Sequence, residues 1–271
     1  MAAVEESLRP PSPLFSKWVT AFAFLMLYVP LVALVTYSFV GPQSSGSHFT
    51  LDWYLAVLKN EAVLRALEVS VWVGIWSTLV STVLGTMAAL ALDRTEFRGR
   101  KVFDTITHIP LIMPEIVLGL ALLVWFVMLR ISLGTISIIL AHITFSISYV
   151  LITVKARLDG FDISLEEAAR DLGATPWKTF WKVTFPLIFP GIMSGALMAF
   201  TLSFDDFLTT FFTAGVGTDT LPLKIYAMIK FGVSPEINAL SAMMLAATFV
   251  MIVGHSAFSA KGLISGLERH K

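Results

Sequence analysis

Three carboxylates stand inside apolar stretches long enough to cross a membrane: Glu115 in Pro114-Glu115-Ile116, and the adjacent Asp205 and Asp206 in Leu202-Ser203-Phe204-Asp205-Asp206-Phe207. A charge at the centre of a bilayer costs about 2.5 to 3.5 kcal/mol on insertion scales, so such groups face a cavity or a cation rather than lipid. Counted along a continuous helix rising about 1.5 Å per residue, Glu115 falls near the midplane of its span and the aspartates nearer the far end of theirs. Successive helical residues point about 100° apart, so one aspartate faces a pore while the other meets a neighbouring helix or subunit. Phe200, Phe204, Phe207 and Phe211 recur at helical spacing and form an aromatic stripe beside the acids. Carboxylates next to aromatic faces suit ammonium groups joined by methylenes, so a polycation fits the pattern better than a sugar. Glu115, Asp205, Asp206, Phe200 and Phe204 are therefore the candidate residues of a cargo path. The competing readings are a stripe that packs on lipid or on a partner chain, and acids that form a structural salt bridge to that partner.

A second constellation lies in the polar stretch 155–186. Ser164-Leu165-Glu166-Glu167 reads as a capping box that starts a short helix, with the Ser164 hydroxyl on the Glu167 amide. Gly173 supplies a left-handed stop, Thr175 a new cap and Pro176 the first position of a second helix, Trp177 to Phe185, which ends at Pro186. Two short helices punctuated in this way form a rigid knob, and a rigid knob transmits motion.

The elements that carry these groups are apolar. Of 271 residues, 56% are hydrophobic and 14% charged, against about 25% charged in an average soluble domain, and the mean hydropathy is +0.79. Runs suited to spans lie near 18–40, 69–92, 105–129, 134–154, 187–212 and 239–260, each close to the roughly 20 residues a bilayer requires. The first is too long for a signal-peptide core and reads as a retained span. Six spans place both termini on one side. The segments on that side, including the tail 1–17, hold Arg9, Lys17, Arg94, Arg98, Arg100, Lys101, Lys155, Arg157, Arg170, Lys178, Lys182, Lys261, Arg269 and Lys271. The other side holds Lys59, Arg65, Arg130, Lys224 and Lys230, and this asymmetry puts both termini in the cytoplasm. Of the outward segments, 41–68 contains a turn-rich Gly41–Ser47 and a short helix with Trp53 and Tyr54, which Thr50 would cap; it serves either as an interfacial anchor or as a contact for an external partner. Residues 213–238, with Gly215, Gly217, Pro222 and Pro235 among apolar residues, read as a loop dipping into the bundle to close an outer gate. Pro110 and Pro114 kink the third span beside Glu115.

The net charge is zero, which gives no nucleic-acid footprint, and the absence of cysteine removes disulfides and thiolate metal sites. No G-x-x-x-x-G-K-[ST] phosphate loop is present, so ATP would have to be used elsewhere, and no H-E-x-x-H or G-x-S-G supports an intramembrane enzyme. A proton-coupled secondary transporter would use the acids but leave the knob at 155–186 without a role.

Glu167-Ala168-Ala169, then Gly173, Val183, Phe185 and Pro186, resemble the EAA loop of binding-protein-dependent ABC importer permeases, with Val183 for Ile and Phe185 for Leu. The strings Phe200–Asp206, Thr220–Tyr226 and Val233–Leu240 look like those of the spermidine/putrescine permeases, and Glu115 stands where that family commonly carries aspartate after proline. The resemblance implies an all-α integral membrane fold of about six helices in the type I ABC importer permease architecture, in a bacterial inner membrane. It implies that the helix with Glu167, Ala168, Ala169 and Gly173 docks in a cleft of a cytoplasmic ATPase homodimer that binds ATP and magnesium. It also implies pairing with a second homologous permease and delivery of polyamine by an external binding protein, with no cofactor, metal or catalytic residue on this chain. Opines, iron and phosphonates are alternative cargoes of related permeases.

Overall fold

The computed structural model describes residues 13–41, 49–232 and 234–268. The tail through residue 12, residues 42–48 of the turn-rich segment, Val233 and residues 269–271 lie outside the described residues. The order is α1 (Pro13–Tyr37), α2 (Asp52–Lys59), α3 (Glu61–Arg94), α4 (Arg100–Ile112), α5 (Glu115–Met128), α6 (Thr135–Leu158), α7 (Ser164–Asp171), α8 (Pro176–Thr179), a π-helical turn (Phe180–Thr184), α9 (Phe185–Asp205), α10 (Leu208–Thr213), α11 (Leu221–Phe231) and α12 (Pro235–Glu268). No strand occurs among the described residues. Five helical runs are long and apolar enough to cross a membrane, and the bent pair α4 and α5 supplies a sixth crossing if counted as one.

The centre of the bundle is built from α3, α6 and α9. In lipid, helices associate by close packing rather than by hydrophobic expulsion, which favours small residues at the contact. Helix α3 meets that need: Ser70, Gly74, Ser77, Ser81, Gly85 and Ala89 recur every three or four residues and are all buried. A Cβ at Gly85 would lie 2.8 Å from Val150 Cβ and 2.9 Å from the Ile147 carbonyl oxygen, so that backbone approach requires glycine. Ala89, Leu92, Val150, Leu151, Val154, Ile188 and Ile192 fill the space beside it. Helix α1 behaves differently, for none of its span is buried within this chain. Its C-terminal end is tied to α2, where Trp53 Nε1–H donates to the Val40 carbonyl at 2.9 Å and Tyr54 Oη lies 2.6 Å from Ser38 Oγ.

Five expectations change. The third span is not one kinked helix: α4 and α5 meet at 113°. Met113 and Pro114 are extended there, because a proline lacks an N–H and disfavours helix in the residue before it. Pro110 stays inside α4, so the break belongs to Pro114, and the midplane position counted for Glu115 along a straight helix no longer holds. The helix expected to end at Pro186 instead continues from Pro176 to Asp205. The Phe185 N–H bonds to the Phe180 carbonyl across the π turn, and the wider turn accommodates the missing N–H of Pro186. The fifth span then stops at Asp205 instead of running to 212, since Asp206 is extended at φ −66°, ψ 128°. The capping box is absent: Ser164 is already helical, and the Ser164 N–H donates to Asp162 Oδ1 at 3.0 Å. Residues 213–238 contain helix α11 rather than a loop. Pro222 stands in its first turn, Gly232 at φ 129° follows its end, and the Leu221 N–H docks on Ser70 Oγ of α3 at 2.7 Å.

Candidate functional site

A cavity of about 320 Å³ opens beside both breaks. Its wall takes Pro110, Glu115 and Leu118 from the α4–α5 corner, Phe145 and Tyr149 from α6, Thr201, Leu202 and Asp205 to Thr209 from the broken fifth span, and Thr248 and Ile252 from α12. The three acids singled out from the sequence are thus brought to one cavity, and among the described residues no Lys, Arg or His lines it. Their exposures differ. Glu115 and Asp205 are exposed, whereas the Asp206 side chain is 7% exposed.

The reason is the end of α9. Two amides freed by the break, those of Thr209 and Thr210, donate to the Asp206 carboxylate at 3.4 and 2.7 Å, and the Thr210 hydroxyl donates to it at 2.9 Å. His142 Nε2 lies 3.3 Å from Asp206 Oδ2. Asp206 therefore satisfies backbone at the break while Asp205 remains open. Asp205 also borders a second, outlying cavity with Pro222, Ile225, Ser241, Met244, Leu245 and Thr248.

The aromatic stripe does not survive the break. Phe200 and Phe204 stack at 6.0 Å and pack into a core with Val57, Val63, Leu221, Ala239 and Leu240, away from the cavity wall. Phe207 and Phe211 turn instead toward Tyr226, and of the four only Phe207 reaches the cavity. A stripe at helical spacing presumes one unbroken helix, and this one ends two residues before Phe207.

The knob at 155–186 is held by a residue that the spacing argument passed over. Glu166 is 2% exposed; it accepts hydrogen bonds from Arg94 Nη1 at the end of α3 and from the Thr184 hydroxyl in the π turn, with Arg170 Nη2 3.7 Å away. Burial pushes its carboxyl up, but Arg94, Thr184 and then Arg170 outweigh that and hold it below the usual glutamate value. Arg94 also lies 5.6 Å from the Phe161 ring. Glu167, Ala168 and Gly173 are exposed and Ala169 is half-buried. Gly173 at φ 83° closes the helix with the expected left-handed stop, its N–H on the Arg170 carbonyl and the Ala174 N–H on the Ala169 carbonyl. Thr175 caps the following helix by accepting from the Lys178 N–H at 3.4 Å. Leu172 and Trp177, 90% and 71% exposed, leave an apolar tip beside Glu167.

Arg94 and Thr184 lie 72 and 18 residues from Glu166, so no local pattern announced the anchor beyond the Glu166/Arg170 spacing of four. Ser203 and Thr210 carry no such signal in the sequence, whereas His142 does, as a histidine inside an apolar span, and it is a satisfied core histidine with both ring nitrogens engaged.

Residues 81–260 match the family described as binding-protein-dependent transport system inner membrane component. The chain is 38% identical over 232 residues to the spermidine/putrescine transport system permease protein PotC of Escherichia coli K12, covering 85% of this chain and 88% of the relative. It is 39% identical over 255 residues to the putrescine transport system permease protein PotI of the same strain, covering 90% of each. Among solved structures, a chain of a bacterial ABC transporter that imports the acidic polysaccharide alginate superposes with a TM-score of 0.73 over 92% of this chain and 95% of that one, at 20% identity. The fold is thus that of ABC importer permeases, and the chain belongs to the family of binding-protein-dependent transport system inner membrane components.

Proposed function

We propose that the chain is the permease subunit of an ATP-driven importer that carries polyamines of the spermidine and putrescine class across a bacterial inner membrane. The observation that carries this reading is the cavity with two open carboxylates, Glu115 and Asp205, and no basic side chain on its described wall. A cargo of ammonium groups separated by methylenes finds there both charge and apolar contact, from Leu118, Phe145, Tyr149 and Phe207. The names of relatives that match four fifths or more of the chain support the same cargo.

In this reading the chain performs no covalent chemistry. ATP and magnesium bind on a partner ATPase homodimer, and the exposed face of α7, with Glu167, Ala168 and Ala169, docks there, stopped by Gly173 and flanked by the apolar Leu172 and Trp177. A second homologous permease covers the unburied face of α1 and completes the path, an external binding protein delivers the polyamine, and both termini lie in the cytoplasm with the excess of Lys and Arg. Closure of the ATPase dimer moves the knob, and the knob turns the α3/α6/α9 bundle to which Glu166 ties it.

The test is ATP-dependent uptake of labelled spermidine into vesicles holding this chain with its neighbouring permease, ATPase and binding protein, with a sugar and ferric iron as controls. Uptake of spermidine alone is expected; ATP-driven uptake of another solute in its place would keep the importer and reject the polyamine.

A further inference from the structure

We propose that His142 is a positioning residue of the transport path: it spans the break in the fifth span and fixes it so that, of two adjacent aspartates, only Asp205 is presented to cargo. The inference rests on the cavity being that path, as proposed above, but its geometry does not.

His142 is wholly buried two turns into α6 and both ring nitrogens are engaged. Nδ1 lies 2.7 Å from the hydroxyl of Ser203, in the last turn of α9, and Nε2 lies 3.0 Å from the hydroxyl of Thr210, in the first turn of α10. One ring thus holds the chain immediately before the break and immediately after it. Ser203 Oγ lies 3.0 Å from Ser77 Oγ, which carries the network into α3. On the other side Nε2 approaches Asp206, the group that satisfies the freed amides of Thr209 and Thr210. Non-helical backbone at membrane depth persists only where protein satisfies it, and here two of the freed amides depend on a carboxylate that is itself steadied by the imidazole. If the ring is lost, Asp206 keeps the Thr209 and Thr210 donors but loses the imidazole beside it, and the break loses the tie between its two ends. Asp205 stands at the corner of two cavities, and its aim is set by where α9 stops. His142 touches neither cavity wall, so its effect on cargo passes through the two residues it holds.

Because the chain has no cysteine, single-cysteine reporters read this directly. Asp205→Cys and Thr209→Cys are labelled with a cationic methanethiosulfonate in the assembled transporter in vesicles, each alone and combined with His142→Phe or Ser203→Ala. Both positions border the same cavity, but Thr209 is 1% exposed. With His142 present, Asp205→Cys reacts at least about tenfold faster than Thr209→Cys, a ratio equal to one lost hydrogen bond's worth of opening energy. His142→Phe, which keeps an aromatic ring, brings the ratio within about threefold, the change expected when one such bond no longer holds the break. Ser203→Ala, which hardly alters volume, moves it in the same direction and decides the matter if His142→Phe does not assemble. A ratio unchanged in the assembled variants, or near unity with His142 present, overturns the proposal. Labelling needs no cargo, so these outcomes stand apart from spermidine uptake by the unsubstituted protein, whose absence would reject the proposed cargo instead.

Discussion

Replacing Glu166 by alanine removes the anchor of the knob, and the structure sets the scale of the effect. The carboxylate is buried and gathers Arg94, Thr184 and, at a distance, Arg170. Hydrogen bonds to a charged group contribute about 1.5 to 3 kcal/mol each, and removing one partner of a buried ion pair costs about 3 to 5 kcal/mol. Arg94 is 27% exposed and regains water when its partner goes, while Arg170 is 56% exposed and adds little. The loss in docking of α7 is then about 2 to 4 kcal/mol, which at roughly 1.4 kcal/mol per tenfold is about a 30- to 1,000-fold rise in local opening. Hydrogen exchange on the assembled transporter reads this as faster exchange of the α7 amides, with α3 and α6 unchanged. Equal protection of α7 in Glu166→Ala and the parent would refute the anchor. The sign with pH follows from the lowered carboxyl of Glu166. Its contribution is complete above the ordinary glutamate value of 4.5 and is lost as pH falls through the lower value it has when docked. The α7 amides should therefore show no pH-dependent change in docking between about pH 6 and 8 once intrinsic exchange rates are divided out.

Three further outcomes follow from the same contacts. Gly173→Val forces a β-branched residue to φ 83° and should cost about 1 to 2 kcal/mol at the turn, read as loss of ATP-coupled uptake with the amount of folded chain little changed. Gly85→Val drives side-chain atoms into Val150 and the Ile147 carbonyl and should lower stability by about 1 to 3 kcal/mol, checked by thermal aggregation of the detergent-purified complex. Asp206→Ala should reduce assembly more than Asp205→Ala, because Asp206 caps backbone whereas Asp205 is open to the cavity; equal recovery of both variants would contradict the division of roles.

What was legible in the sequence was local. The Gly173 stop and the Thr175 cap are spaced within one or two turns, and a carboxylate in an apolar run is anomalous on its own. The two breaks had weaker signals. Pro114 marked the first, though as a kink rather than a 113° turn. The second had only a weak local mark, Asp206 as a cap for the amides of Thr209 and Thr210, and the contacts of His142 with Ser203 and Thr210 across it come from another helix. The phenylalanine stripe failed for that reason, since its period assumed a helix that tertiary contacts end. Glu166 was hidden by its neighbour: the adjacent glutamates look alike in sequence, and burial against Arg94 tells them apart.

Passage of a cationic cargo over open carboxylates, in a path the knob drives, is read out by comparing the parent with Glu115→Gln/Asp205→Asn for spermidine uptake and ATP hydrolysis in the same vesicles. Uptake should fall at least about tenfold, the loss of one charge contact's worth of energy, while hydrolysis stimulated by the loaded binding protein persists, because the variant leaves Glu166 and α7 intact. Undiminished uptake in the double variant would contradict it.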